Sequence, residues 1–221
     1  MHPVGWHMLI FVLYSDKKHA NFFNQLLLYI ISMEENNNND TALLIMDVQT
    51  HTLKSLKDAN YYVHGIAKAT AAARQAGVPI IYIVVGFKPG YPEVHPDNKA
   101  FASIKKMDVG LDNADNYAVP ASIGPKQGDL LLIKKRFSAF AGSGLDLILR
   151  AKQIKHLVLA GISTSGVVLS TLREAADKDF KITVLADGLS DKDETVHQVL
   201  LERVFPRQAL VTTIDDWCAG L

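Results

Sequence analysis

Three short segments carry residue types that could do chemistry. Asp47 closes the apolar run "LLIM", and Lys134 closes "LLI" in "LLIKKRFSAF". A carboxylate is costly to bury unless it is paired or hydrogen-bonded. Asp47 at the end of such a run therefore requires a partner, and Lys134 is the candidate. Together they would form an acid or base held beside an ammonium group. The alternative is a plain strand-end ion pair, because perturbed ionisable groups mark sites only statistically. The third segment, "GISTSGVVLST" over residues 161–171, follows an apolar run at 156–160 and reads as a strand end, a small-residue turn and a helix start. α/β enzymes often place a nucleophile there. This segment has no cysteine, and its serines do not fit a Gly-x-Ser-x-Gly elbow. Ser165 suits a helix N-cap, its oxygen accepting from backbone N–H groups two or three residues on. That role outweighs a serine nucleophile.

Other polar residues are weaker candidates. His197 lies in "DETVHQVLLERVF", whose spacing is helical, so a triad with Asp187 is not inferred. His95 in "EVHP" lacks a partner at metal-ligand spacing, and no metal or cofactor is expected. The segment "GFKPGYPEVHPDNKAF" offers the rings of Phe87, Tyr91 and Phe101, and Lys88 as a cation for a carboxylate. A proline-stiffened surface loop explains it equally well. Cys218 is the single cysteine. It excludes an internal disulfide, fits a reducing, cytoplasmic setting, and reads as a tail thiol.

The elements that must position these residues follow from the punctuation. Strands are predicted at 42–46, 80–85, 129–133, 156–160, 181–186 and 209–212, and helices at 53–75, 144–154, 165–179 and 194–204. Unbroken apolar runs indicate strands covered on both faces. Their alternation with helices predicts an α/β three-layer αβα sandwich around a six-stranded parallel sheet, built from right-handed crossovers. Ligands in such sheets sit beyond the carboxyl ends of strands, where strand order reverses. Asp47, Lys134 and the 161–167 turn all fall there.

The chain has 221 residues, 48% of them hydrophobic, with 23 basic and 23 acidic residues. That balance gives no global field toward nucleic acid or a membrane surface, so the expected partner is a small-molecule substrate. Two apolar runs, 8–14 and 22–31, fall short of the ~20 residues a membrane span needs. Four asparagines follow at 36–39. Residues 1–40 are read as an extension and linker, with Met33 favoured as the natural start, and 41–221 as the domain.

The segments "LLIMDVQ", "LLIKKRFSAF" and "GISTSGVVLST", in this order and each at a strand end, resemble the isochorismatase-like (cysteine hydrolase) superfamily over about residues 41–217. The resemblance implies a six-stranded parallel sheet, a homodimer or larger homo-oligomer, and small-molecule hydrolysis. It places the catalytic Asp at Asp47, within Asp-x-Gln completed by Gln49, and the catalytic Lys at Lys134, with Ser138-Ala139-Phe140 behind it. In the Gly-x-x-Thr-x-x-Cys-Val pattern, Gly161, Thr164, Val168 and Thr171 match, and the cysteine position holds Val167. Ser163 matches the position of a cis peptide and oxyanion turn, completed by Thr164, Ser165 and Gly166. Gln49, Phe87, Tyr91 and Phe140 are read as substrate-binding. Valine forms no thioester, which leaves three readings. In the first, Asp47 and Lys134 act by acid–base chemistry on an enol ether, as the resemblance to the superfamily's cysteine-less isochorismatases implies; in the second, the chain binds a ligand without catalysis; in the third, a serine serves as an amidase nucleophile.

Overall fold

The computed structural model describes residues 40–54, 56–107, 110–113 and 118–221. The N-terminal extension, apart from Asp40, lies outside the described residues. Six strands form the sheet: β1 (Thr41–Met46), β2 (Ile80–Val85), β3 (Leu130–Lys134), β4 (His156–Ile162), β5 (Lys181–Ser190) and β6 (Leu210–Thr212). All neighbours are parallel, in the order β3-β2-β1-β4-β5-β6. Strand order therefore reverses between β1 and β4.

Side chains alternate across each strand, and both faces are buried. Leu44, Ile83 and Leu159 enter one core, with Leu145, Leu172 and Phe205 above them. Leu43, Tyr82 and Val158 enter the other, against Ile66, Ala69 and Ala73. The helices are α1 (Thr50–Leu53), α2 (Ala59–Gln75), α3 (Lys99–Met107), α4 (Leu145–Ala151), α5 (Leu169–Asp177), α6 (Glu194–Val199) and α7 (Ile214–Ala219). A wide π turn, Thr164–Val168, leads into α5.

Several boundaries differ from the sequence reading, each for a local reason. The single helix expected at 53–75 is two, because Asp58 caps α2 by accepting from the Tyr61 N–H. Strand β5 continues past Asp187 to Ser190, through an irregular register with β4 between Leu159 and Gly161. Tyr62 of α2 pins that extension by donating to the Gly188 carbonyl at 2.9 Å. Helix α7 was not anticipated, although Thr213 caps it by accepting from the Asp216 N–H. Cys218 is accordingly no loose tail thiol: it lies on α7, half-buried against the second core.

Candidate active site

Beyond the carboxyl ends of β1, β3 and β4 lies a cavity of about 500 Å³. Asp47 follows β1 directly, with φ 54. This left-handed conformation is tolerated better by Asp than by most residues. It is held from both sides: the Asp47 N–H donates to the Ile83 carbonyl at 2.7 Å, and its carbonyl accepts from Thr52 Oγ1 at 2.6 Å. Lys134, the last residue of β3, reaches across the end of β2 to Asp47. Its Nζ lies 2.9 Å from Asp47 Oδ2, and its side chain is 2% exposed. The ammonium also donates to the Arg136 carbonyl at 2.9 Å. Asp47 Oδ1 is buried without a hydrogen-bond partner. Burial pushes the Asp47 carboxyl above its ordinary value, and Lys134 opposes that shift. The result is an acid that holds its proton to higher pH than a solvated aspartate.

The turn after β4 forms the facing wall. The Ile162–Ser163 peptide is cis, the bond the resemblance implied. Gly161 brings β4 against β1 so closely that any Cβ there would collide with the Met46 carbonyl. Ser163, Ser165, Gly166 and Val167 line the cavity. Thr164 does not; it is fully buried, and its Oγ1 lies 2.8 Å from His197 Nδ1. Ser165 is not the side-chain cap expected of it. The turn starts at Ser163 without a side-chain cap, and the Ser165 N–H donates to Asp191 Oδ2 at 2.7 Å. Burial raises the Asp191 carboxyl, but the hydrogen bonds from Ser165 and from the Asp193 and Lys192 backbone outweigh this and hold it below its ordinary value.

The residues read as substrate-binding lie elsewhere. Gln49 is fully buried and bridges β1 to β2: its Nε2 donates to the Val85 carbonyl at 3.1 Å and its Oε1 accepts from the Val85 N–H at 2.9 Å. Phe87 and Tyr91 are buried in a small satellite core with Val94 and Leu111. Phe140 packs into the first core and against Phe180. None of these four lines the cavity. Aromatic rings in a loop resemble a binding surface, but here they serve packing. Phe101 does line it, joined by Phe137, Ile104 and Met107, and by His51 and Thr52 of α1. Asp191 and Lys192, also in the lining, were missed because β5 was expected to end near Asp187; Asp187 instead accepts from the Ile214 N–H. The chain's one cysteine is not in the lining, so no thiol faces Asp47.

Residues 41–216 match the isochorismatase domain family. Ureidoacrylate amidohydrolase RutB of Pseudomonas syringae is 28% identical over 202 residues, covering 81% of this chain and 82% of that protein. The isochorismatase family protein YecD of Escherichia coli O157:H7 is 30% identical over 179 residues, covering 80% and 93%. Among solved structures, an isochorismatase family protein from Burkholderia thailandensis superposes with a TM-score of 0.71 at 25% identity, covering 83% of this chain and 96% of that one. N-carbamoylsarcosine amidase from Thermoplasma acidophilum gives 0.66 at 25% identity, covering 80% and 97%. The chain belongs to the isochorismatase family of hydrolases.

Proposed function

We propose that this protein is a small-molecule hydrolase in which Asp47 acts as the acid, Lys134 orients it, and no thiol nucleophile takes part. The observation that carries this reading is the buried Asp47–Lys134 pair, 2.9 Å apart, on a cavity whose wall at position 167 is an alkyl side chain. In the family pattern the nucleophilic cysteine corresponds to Val167. An acid working without a nucleophile suits an enol ether. The Asp47 proton adds to the terminal enol carbon and leaves an oxocarbenium. Water adds to the oxygen-bearing carbon of that cation and returns a proton to Asp47. The hemiketal then breaks to a ketone and an alcohol. Lys134 holds Oδ2 at 2.9 Å and so orients the carboxyl toward the substrate.

A second reading is amide hydrolysis with Ser163 as nucleophile. It is favoured by the amidohydrolase and amidase names of two relatives and by the place of Ser163 on the cavity wall. A cytoplasmic homodimer or larger homo-oligomer belongs to the same proposal. The single cysteine supports the location, and exposed Leu147 and Leu210 support the assembly.

The test is a panel of vinyl ethers and amides offered to the parent and to Asp47→Asn. Vinyl ether turnover that falls at least about 10²-fold in the variant, the scale of a lost general acid, supports the reading. Full activity in Asp47→Asn overturns it. Ligand-induced melting shifts without turnover of any compound identify a binding protein instead.

A further inference from the structure

The cavity lining contains two unlike sets of residues. Asp47, Lys134, Ser163 and Asp191 are polar; Phe101, Ile104, Met107 and Phe137 are apolar. The apolar set is built deliberately. Phe101, Ile104 and Met107 share a face of α3 at spacings of three. Phe101 is fixed from behind, its ring centroid 5.8 Å from Phe87, and in front it meets Phe137 at 5.1 Å. Phe137 is nonetheless 46% exposed and Met107 65% exposed. Adjoining apolar surface left open on a cavity wall marks a place where a ligand is covered, and covering it is favourable.

Three of the neighbouring cations are already engaged. Lys135 Nζ donates to the Gly86 carbonyl at 2.7 Å and lies 3.6 Å from Glu93. Arg136 donates to the Lys135 and Glu93 carbonyls and lies over the Phe101 ring, 5.7 Å from its centroid. Lys134 is spent on Asp47 and the Arg136 carbonyl. Lys192 is exposed and stands beside Asp191 in the lining. Little on the apolar side would hold an anion.

We infer that the substrate carries an uncharged aromatic or comparably bulky apolar group, seated against Phe101, Phe137 and Met107, with its reacting polar group turned toward Asp47. The reacting end rests on the hydrolase reading; the apolar seat does not. Phe137 and Met107 would be the residues that set specificity.

The test measures binding of three probes by calorimetry: benzamide, acetamide and 4-carbamoylbenzoate, which puts a charge on the far side of the ring. Benzamide is expected to bind at least about tenfold more tightly than either of the others, the lower end of what a small apolar difference achieves in such a pocket. Phe137→Ala and Met107→Ala should each weaken benzamide and leave acetamide unchanged. Both side chains are substantially exposed, so neither variant threatens folding. Acetamide matching benzamide overturns the inference. So does tighter binding of 4-carbamoylbenzoate that is lost in Lys192→Ala. Ring preference without turnover of any vinyl ether or amide sinks the hydrolase reading and leaves the seat standing. Asp47-dependent turnover without ring preference does the reverse.

Discussion

The neighbouring strands β1 and β4 place one ionisable group at each end of the sheet, Asp47 just after β1 and the partly buried His156 at the start of β4, and the two ends behave differently. At the carboxyl end, Asp47 lines a cavity, with Oδ2 paired to Lys134 and Oδ1 buried without a hydrogen-bond partner. At the amino end, the His156 ring is closed off: Nδ1 lies 3.3 Å from Thr41 Oγ1 and Nε2 2.8 Å from Thr183 Oγ1. Both groups have shifted pKa values, and burial is the first cause of each. A shifted pKa alone does not separate them. What separates them is an open space and an atom with nothing to bond. A satisfied buried group stabilises one arrangement; an unsatisfied one on a cavity can interact with whatever enters.

The largest effect beyond losing Asp47 itself should come from Lys134→Met. Removing one member of a buried pair leaves the other uncompensated, at a cost of about 3 kcal/mol. The sign with pH is fixed. Lys134 lowers the Asp47 pKa, so without it the folded-state value rises further above that of the unfolded chain. A carboxyl with a raised folded pKa stabilises the fold at low pH, and that contribution is lost as pH rises toward the folded value. Denaturant midpoints of the variant should therefore fall from pH 4 to pH 7 relative to the parent. A parallel pair of curves would mean that Asp47 is not buried against Lys134 as described.

The same contrast explains what could be read from sequence. Asp47 and Lys134 were legible because each ends an unbroken apolar run, and such runs are the direct imprint of a sheet covered on both faces. Asp191 was not, because the course of β5 past Asp187 is tied to Tyr62 and Ile214, which lie 126 and 27 residues from their partners in the chain. The aromatic wall was half legible. Ring residues were visible in the 86–101 segment, but only packing decides that Phe101 faces the cavity while Phe87 and Tyr91 stand behind it. That Phe140 and Gln49 lie outside the cavity lining was hidden for the same reason: their burial is a tertiary outcome, and a motif carries no burial.

Position 167 sharpens the comparison chemically. Val167 is 2% exposed, lines the cavity, and lies at the start of the long helical stretch through α5. A thiol placed there by Val167→Cys would sit where backbone N–H groups and Lys134 favour a thiolate. Cys218 is the internal control, its thiol pushed up by burial. Iodoacetamide should alkylate the new cysteine at least about tenfold faster than Cys218, reflecting a lowered thiol pKa. Equal rates, followed by mass spectrometry, would show that the turn does not activate a nucleophile. Val167→Ala should keep whatever activity the parent has, because in the proposed chemistry this side chain only shapes the wall.

The smallest effect belongs to the closed end. His156 is lowered from 6.5 to about 4, first by burial and then by Lys181, with Asp40 opposing. An imidazole with a depressed folded pKa takes up its proton more readily in the unfolded chain. Its contribution to stability is therefore complete above 6.5 and is lost as pH falls from 6.5 toward 4. The ring is partly reachable by solvent, so the expected loss is modest, about 1 kcal/mol rather than the full value of the shift. His156→Gln removes the titration while keeping a group that can bond to threonine. The variant's melting temperature should change less than the parent's between pH 6.5 and 4.5, and turnover should be the same in both. An unchanged slope would mean that other groups carry the acid sensitivity. A fall in turnover would mean that the two ends of the sheet are coupled, and that the satisfied histidine is not the inert counterpart of Asp47 that its hydrogen bonds describe.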